Sequence, residues 1–339
     1  MSYQDLEAQL LDWMARPAGG IPEAEFDALA LEIHRFQREA NAPYAQFCRH
    51  EKARVKHWWE IPAVPTSAFR HAALRTFPAS EAVATFRTSG TTGEGYGSHH
   101  FCSTQLYDAS ILRAWRDLAL PSAPQIILTQ RPGDAPHSSL SHMMGTFSAL
   151  GPQTWAIDAG GSMDVDAIRT TASAGPVLIL GTALAFLHLI ETLGTDQIPL
   201  APGSIAMETG GYKGTGRTLT KAALYEKMRG TFSLAPEAIF NEYSMTELSS
   251  QWYTRGLGGA HHGPEWTRVR VVDPESGEEA ADGERGMLRL YDLANLGSVA
   301  AIQTQDLAIR RGGDFELLGR DPNAIARGCS RSADELLSR

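Results

Sequence analysis

Short apolar runs alternate with helical stretches through the middle of the chain, and that alternation constrains the fold more than any other feature. The runs are ATF (84–86), QIILTQ (125–130), VLIL (177–180), SIAMETGG (204–211) and EAIFNEYS (237–244), with helical patterns between them such as Gln105–Leu118 and Leu219–Met228. Strand-length runs separated by helices predict an α/β fold with a largely parallel sheet. The most apolar window, Val177–Leu193, is interrupted by Gly181, His188 and Glu191 and falls short of the ~20 residues of a membrane span. It reads as a buried strand followed by a helix.

The flanks differ from this middle. Residues 1–60 are predicted helical, with Leu6, Leu10, Leu11 and Trp13 on one apolar face. Phe26, Leu29, Leu31, Ile33, His34 and Phe36 form a second face after the Gly-Gly-Ile-Pro break at 19–22. IPAVPTSAF (61–69) is an extended connector, because its two prolines oppose helix. From about residue 264 the pattern turns β-rich. WTRVRVVDPESGEEAADGERGMLRLYDL reads as two strands around an acidic turn, and QTQDLAIRRGGDFELLGR as a hairpin turning at Gly312-Gly313. The main body thus runs over 61–320, and a short tail, 321–339, carries Cys329.

Composition narrows the function classes. At 43% hydrophobic and 20% charged residues, the 339-residue chain is neither disordered nor fibrous. A net charge of −9 without a basic run argues against nucleic acid as a partner. Three cysteines (48, 102, 329) are too few and too dispersed for a disulfide framework or a zinc site. The acidic N-terminus does not match a signal peptide, so a cytoplasmic protein without membrane insertion is expected. Only 5 of 30 basic residues are lysines, which makes a lysine inside a motif notable.

Four segments could carry chemistry. Thr88, Ser89, Gly90, Thr91, Thr92 and Gly93 follow the ATF run, and glycines with hydroxyls suit a polyphosphate cradle, although no Walker lysine follows. An ordinary Ser/Thr/Gly turn fits the same letters. In ETGGYKG, Gly210 and Gly211 permit a flat ring to approach the backbone and Tyr212 could stack on it, with Lys213 beside it. A tight strand-to-helix turn is the alternative. In NEYSMTE, Thr246 could donate to a phosphate and Glu247 could hold Mg²⁺, at the carboxyl end of a parallel strand where α/β ligands bind. A capped helix start fits equally. Asp306, followed by Gly319-Arg320, could engage ribose hydroxyls and phosphate, or be solvated on a hairpin.

Taken in order, these segments resemble the adenylate-forming superfamily: its phosphate loop looks like TSGTTG, its adenine turn like TGGYKG, its Tyr-Gly-x-Thr-Glu segment like YSMTE, and its ribose Asp and hinge-proximal Gly-Arg like QDL and LGR. IPAVPTSAF, HSSLSHMM (137–144), GTALAFLHL (181–189), ETGGYKG, NEYSMTELSSQWY, EWTRVRVVDPESGEE and ARGCS (326–330) together look like the LuxE-type acyl-protein synthetase family. The likeness runs from about residue 60 to residue 331.

The resemblance implies the large domain of an adenylating enzyme, with stacked α/β layers and a small distorted β-barrel. It leaves no room for the usual C-terminal subdomain and its catalytic lysine in the 19 residues after Arg320. Lys213 is then the in-chain cation expected to neutralise phosphoryl charge. The implied cofactors are ATP and Mg²⁺, and the substrate is a carboxylic acid, apolar and probing a pocket of His142, Met143, Met144, Gly181, Ala183 and Ala185, with His99 and His100 near the carboxylate. Tyr243, Ser244 and Met245 lie with Thr246 against the nucleotide; Ser244 stands where the superfamily usually has Gly, and Gln305 where relatives have Gly or Glu. The acyl group would pass to Cys329, whose neighbours Arg327 and Arg331 favour thiolate, and on to an acyl reductase or acyltransferase. Two alternatives stand beside this: direct transfer to a carrier protein or other external acceptor, and a nucleotide-binding subunit without turnover.

Overall fold

In the computed structural model, which describes residues 1–51, 54–88, 95–210 and 219–320, helix α1 (Tyr3–Ala15) opens on a reciprocal cap. Asp5 N donates to Ser2 Oγ at 3.2 Å and Ser2 N donates to the Asp5 carboxylate at 3.0 Å. Helices α2 (Glu23–Ala40) and α3 (Ala42–Glu51) follow, as the periodicity predicts. The stripe that α2 buries is Phe26, Leu29, Ala30, Ile33, His34 and Gln37, so it differs from the expected one: Leu31 and Phe36 are half-buried flanks. Gln37 is polar yet fully buried because all its groups are paired, donating to the carbonyls of Asn295 and Leu296 and accepting from Ala300 N.

The extended reading of 61–69 holds through β1 (Val64–Pro65), which pairs in parallel with a later strand, but Ala68–His71 winds into the short helix α4. Both prolines precede that turn, so neither ring blocks it. Strands β2 (Ala84–Arg87) and β3 (Ser98–Phe101) form an antiparallel pair, and α5 (Gln105–Asp117) comes next.

Among the described residues the chain divides into two units: residues 1–117, 245–251 and 260–320, and residues 118–244 with 252–259. The second unit is a six-stranded sheet. Its elements in chain order are β4 (Gln125–Leu128), α6 (Ser139–Thr146), β5 (Gln153–Trp155), α7 (Val165–Ser173), β6 (Leu178–Thr182), α8 (Ala183–Leu193), β7 (Ile205–Thr209), α9 (Lys221–Phe232), β8 (Ile239–Tyr243) and β9 (Trp252–Arg255). The strand order is β5-β4-β6-β7-β8-β9, parallel except for β9. The central strands are buried along their length, which explains why they read as apolar runs rather than alternating ones. Phe186 and Leu189 of α8 and Leu224, Met228 and Phe232 of α9 pack with Ile126, Ile179 and Ile239 into one core, each large side chain contributing roughly 1.5–3 kcal/mol.

The first unit resumes with β10 (Thr267–Val272), β11 (Arg285–Asp292), β12 (Ala301–Arg311) and β13 (Asp314–Arg320). These are the two hairpins expected from the sequence, joined into one sheet in the order β1-β12-β11-β10 with β13 on β12. The ladder is irregular, with register shifts between Met287 and Arg289 and between Leu307 and Ala308. The N-terminal helices pack on this sheet: Leu6, Leu10, Trp13, Phe26 and Ile33 share a core with Trp58, Trp266 and Tyr291. Among the described residues, no helix is long and apolar enough to cross a membrane.

Candidate active site

In the first unit, Thr246 and Glu247 lie on the segment 245–251. The Thr246 carbonyl accepts a hydrogen bond from His99 Nδ1 at 2.7 Å, and because a carbonyl cannot donate, Nδ1 carries the proton. The Thr246 hydroxyl donates to the Arg87 carbonyl at 3.4 Å. Glu247 is nearly buried, and its carbonyl accepts from Asn295 Nδ2 at 2.9 Å.

His99 and His100, expected together near the carboxylate, do not share a face. They are neighbours on β3, so their rings take opposite faces. His99 is buried against Phe69 and Phe101, and burial pulls its pKa down to about 4. It is therefore a neutral donor to the Thr246 backbone. His100 pairs across the hairpin with Thr85, its Nδ1 lying 3.0 Å from the hydroxyl.

Thr88 closes the stem of the same hairpin. Its N donates to the Gly97 carbonyl and its hydroxyl accepts from Gly97 N, each at 2.9 Å. A Cβ at Gly97 would stand 3.1 Å from the Thr88 side chain and 3.2 Å from the Phe69 backbone, so glycine fits where bulk does not. Ser89, Gly90, Thr91, Thr92 and Gly93 fall between β2 and β3 in the chain, outside the described residues. Asp306 and Arg320, which the sequence links only as parts of one hairpin, are direct partners across β12 and β13. Asp306 N donates to Thr304 Oγ1 at 3.1 Å, and Gly319 takes φ +107° at the bulge.

In the second unit, β7 ends at Thr209 and is followed by Gly210, whose φ of +72° suits glycine, and β8 ends at Tyr243, which is buried. Gly211, Tyr212 and Lys213 lie outside the described residues. Ser244 is half-buried and its side chain hydrogen-bonds Glu242, while Met245, half-buried as well, belongs to the first unit. What the sequence reading missed is a pair of buried carboxyl groups, Glu208 and Glu242, near the carboxyl ends of β7 and β8, with Lys221 at the exposed start of α9 reaching toward them. Glu208 accepts from Tyr225 OH at 2.9 Å and from Asn241 Nδ2 at 2.8 Å, and Lys221 Nζ donates to Asn241 Oδ1 at 2.7 Å. Burial raises the Glu208 pKa, and the nearby Lys221 charge opposes that shift.

Glu242 accepts from the Thr209 hydroxyl, and burial pushes its pKa up to about 7. Its Oε1 has no hydrogen-bond partner among the described residues. The available signal was a carboxylate inside each apolar run, SIAMETGG and EAIFNEYS.

The residues expected to line the acid pocket are spread through this unit. His142 is half-buried and Met143 buried on α6. Gly181 stands opposite Leu128 in the ladder, where a Cβ would come within 2.6 Å of the Leu128 side chain; close strand packing accounts for this glycine. Ala185 packs against the hydrophobic core.

Two thiols are described. Burial raises the pKa of Cys48 to about 11 and also raises that of half-buried Cys102. Cys329 lies outside the described residues. Among the described residues no three or more His, Cys, Asp or Glu side chains gather as a metal cluster. A single carboxylate such as Glu247 still fits a Mg²⁺ carried by nucleotide phosphates, which needs one or two protein carboxylates.

No family model matches the chain. It is similar to the long-chain-fatty-acid–luciferin-component ligase of Aliivibrio fischeri, 23% identical over 344 residues, covering 92% of this chain and 89% of that protein. In structure it is similar to an open conformation of 2-hydroxyisobutyryl-CoA ligase in complex with 2-HIB-AMP and CoA, with a TM-score of 0.66, 13% identity, and coverage of 90% of this chain and 79% of the other. ATP-bound MatB from Rhodopseudomonas palustris matches with a TM-score of 0.51 at 17% identity, over 72% of this chain and 49% of that one. The chain therefore spans about half the length of MatB.

Proposed function

For a chain that resembles the LuxE-type ligases over nearly its whole length and has the adenylate-forming fold, we propose ATP-dependent activation of a carboxylic acid followed by acyl transfer to a thiol. A substrate carboxylate oxygen attacks the α-phosphorus of ATP, the bond to the β-phosphate breaks, and acyl-adenylate and pyrophosphate result. A thiolate then attacks the acyl carbon to form a thioester C–S bond, and the acyl C–O bond breaks with its electron pair going to AMP. This makes the chain an acid–thiol ligase.

The observation that carries the reading is the whole-length similarity to a ligase named for a long-chain fatty acid; it favours an apolar acid. Most of the first step is positioning and stabilisation of phosphate charge. Thr88, with Ser89, Gly90, Thr91, Thr92 and Gly93, holds the β- and γ-phosphates. Thr246 donates to the α-phosphate. Gly210, Gly211, Tyr212 and the Tyr243–Met245 stretch take the adenine, while Asp306 and Arg320 take the ribose. Lys213 supplies positive charge. Glu247 would hold a Mg²⁺ bound with the nucleotide, which would supply positive charge against the repulsion met by the attacking carboxylate. Cys329 is the acceptor, for delivery to an acyl reductase or acyltransferase.

Carboxylate-dependent ATP–pyrophosphate exchange tests this directly. Exchange is expected with a pool of fatty acids over aryl or amino acids, and Glu247→Gln is expected to lower it at least about tenfold. A chain that binds ATP but exchanges with no pool would instead be a nucleotide-binding subunit.

A further inference from the structure

The turn Asp292–Asn295, which ends β11, grips the segment that carries Thr246 and Glu247. Asn295 Nδ2 donates to the Glu247 carbonyl at 2.9 Å, and Ser249 Oγ donates to Asn295 Oδ1 at 2.9 Å. Ser249 N donates to Asp292 Oδ2 at 2.8 Å, and Ser250 Oγ donates to Asp292 Oδ1 at 2.7 Å. The turn is itself fixed: Asn295 N donates to the Asp292 carbonyl at 3.1 Å, Ala294 N to Asp292 Oδ1 at 3.1 Å, and Asn295 Nδ2 also to the Val299 carbonyl at 2.8 Å. Behind it, Trp266 Nε1 and Ser110 Oγ both donate to Ser250 Oγ, at 2.9 and 3.1 Å. With its single proton on Asp292, the Ser250 hydroxyl thereby uses its full hydrogen-bonding capacity.

Every side chain in this network is buried to within 1%. A polar network in so dry a place is costly unless satisfied, and an apolar filling of the same shape would serve stability alone as well. What a satisfied network adds is one fixed backbone orientation. His99 completes it from the other end at the Thr246 carbonyl.

We propose that Asp292 and Asn295 are positioning residues for the adenylation step, holding residues 246–250 so that the Thr246 hydroxyl and the Glu247 carboxylate meet the nucleotide in a single orientation. The role rests on the assignment of Thr246 and Glu247 made above. Displacing a reacting group by about 1 Å costs on the order of a hundredfold in rate. Oδ1 of Asp292 accepts from both Ser250 Oγ and Ala294 N while Oδ2 accepts from Ser249 N, so Asp292→Asn keeps its oxygen at the first position and turns its NH2 on the Ser249 N–H, removing that bond with little change of shape.

The test compares the full-length chain with Asp292→Asn and with a stability control, Arg113→Ala. Arg113 is buried and donates to the carbonyls of Met14 (2.8 Å) and Arg16 behind α1, far in sequence from the segment. Two readings are taken where each protein is folded: ATP–pyrophosphate exchange kinetics and hydrogen exchange of the Ser249 amide. Asp292→Asn is expected to lower kcat at least about tenfold with KM for the acid within about twofold, and to deprotect the Ser249 amide. Arg113→Ala is expected to lower Tm and change neither reading. An Asp292→Asn kcat within twofold of wild type, an equal loss in Arg113→Ala, or an unchanged Ser249 amide each overturns the proposal. If Asp292→Asn does not fold, Ser250→Ala removes one of the three donors to the Asp292 carboxylate and is judged by the kcat and KM criteria. A wild-type chain that binds ATP but shows no exchange refutes the adenylation reading instead, and the Ser249 amide alone then decides whether the turn anchors the segment.

Discussion

Glu242 shows what one residue imposes on the second unit. Its carboxyl sits at the end of β8 with one oxygen unpartnered among the described residues, and burial raises its pKa from the ordinary carboxylate range to about 7. A folded-state pKa above the unfolded one means that folding favours the protonated form. The stabilisation is complete below about pH 4.5 and disappears as the pH rises through about 7. Asp292 has the same sign, raised by burial to about 6, whereas His99, lowered to about 4, stabilises above its ordinary range and loses that contribution as the pH falls. Glu242→Gln should therefore reduce the loss of unfolding free energy between pH 5 and 8 by on the order of 2–3 kcal/mol. Denaturant titrations at several pH values measure this, and parallel pH profiles for the two proteins would refute it.

At the scale of elements, the β2–β3 hairpin depends on a glycine that makes no turn. Gly97 lies where any Cβ presses on Thr88 and on the Phe69 backbone. Gly97→Ala is expected to cost about 1–3 kcal/mol through overpacking, seen as a lower Tm, and to raise KM for ATP because Thr88 must move. An unchanged Tm and KM would mean that the stem yields freely. Strands of the sheet centre were legible in the sequence because parallel strands buried on both faces leave continuous apolar runs. Strands β3, β5 and β9 were not. SHHF, QTW and WYTR are short and rich in polar or aromatic residues, and tertiary pairing rather than pattern makes them strands. Gln37 escaped the α2 stripe for a related reason: its place in the core depends on carbonyls more than 250 residues away. The site followed the same division. Glycines, hydroxyls and charged residues show as motifs, while the Asp292–Asn295 grip and the Glu208–Asn241 hydrogen bond arise only when separate segments meet.

For the molecule as a whole, the proposed transfer step asks which of its three thiols is suited to accept an acyl group. A nucleophile must be thiolate, and a thiol with a pKa of about 11, such as Cys48, is ionised to about one part in ten thousand at pH 7. Cys102 is raised by burial as well. Neither setting favours attack on an acyl-adenylate. Cys329 stands between Arg327 and Arg331 in the sequence, and nearby cations lower a thiol pKa. Incubation with ATP, Mg²⁺ and the preferred acid should thus add an acyl mass to wild type, Cys48→Ser and Cys102→Ser alike. Cys329→Ser should lose at least about nine-tenths of that mass while keeping ATP–pyrophosphate exchange within about twofold, since activation precedes transfer. Intact mass spectrometry separates the outcomes. An acyl mass that persists in Cys329→Ser removes Cys329 as the acceptor. A wild-type chain that exchanges pyrophosphate but loads only an added carrier protein places the acceptor outside the chain.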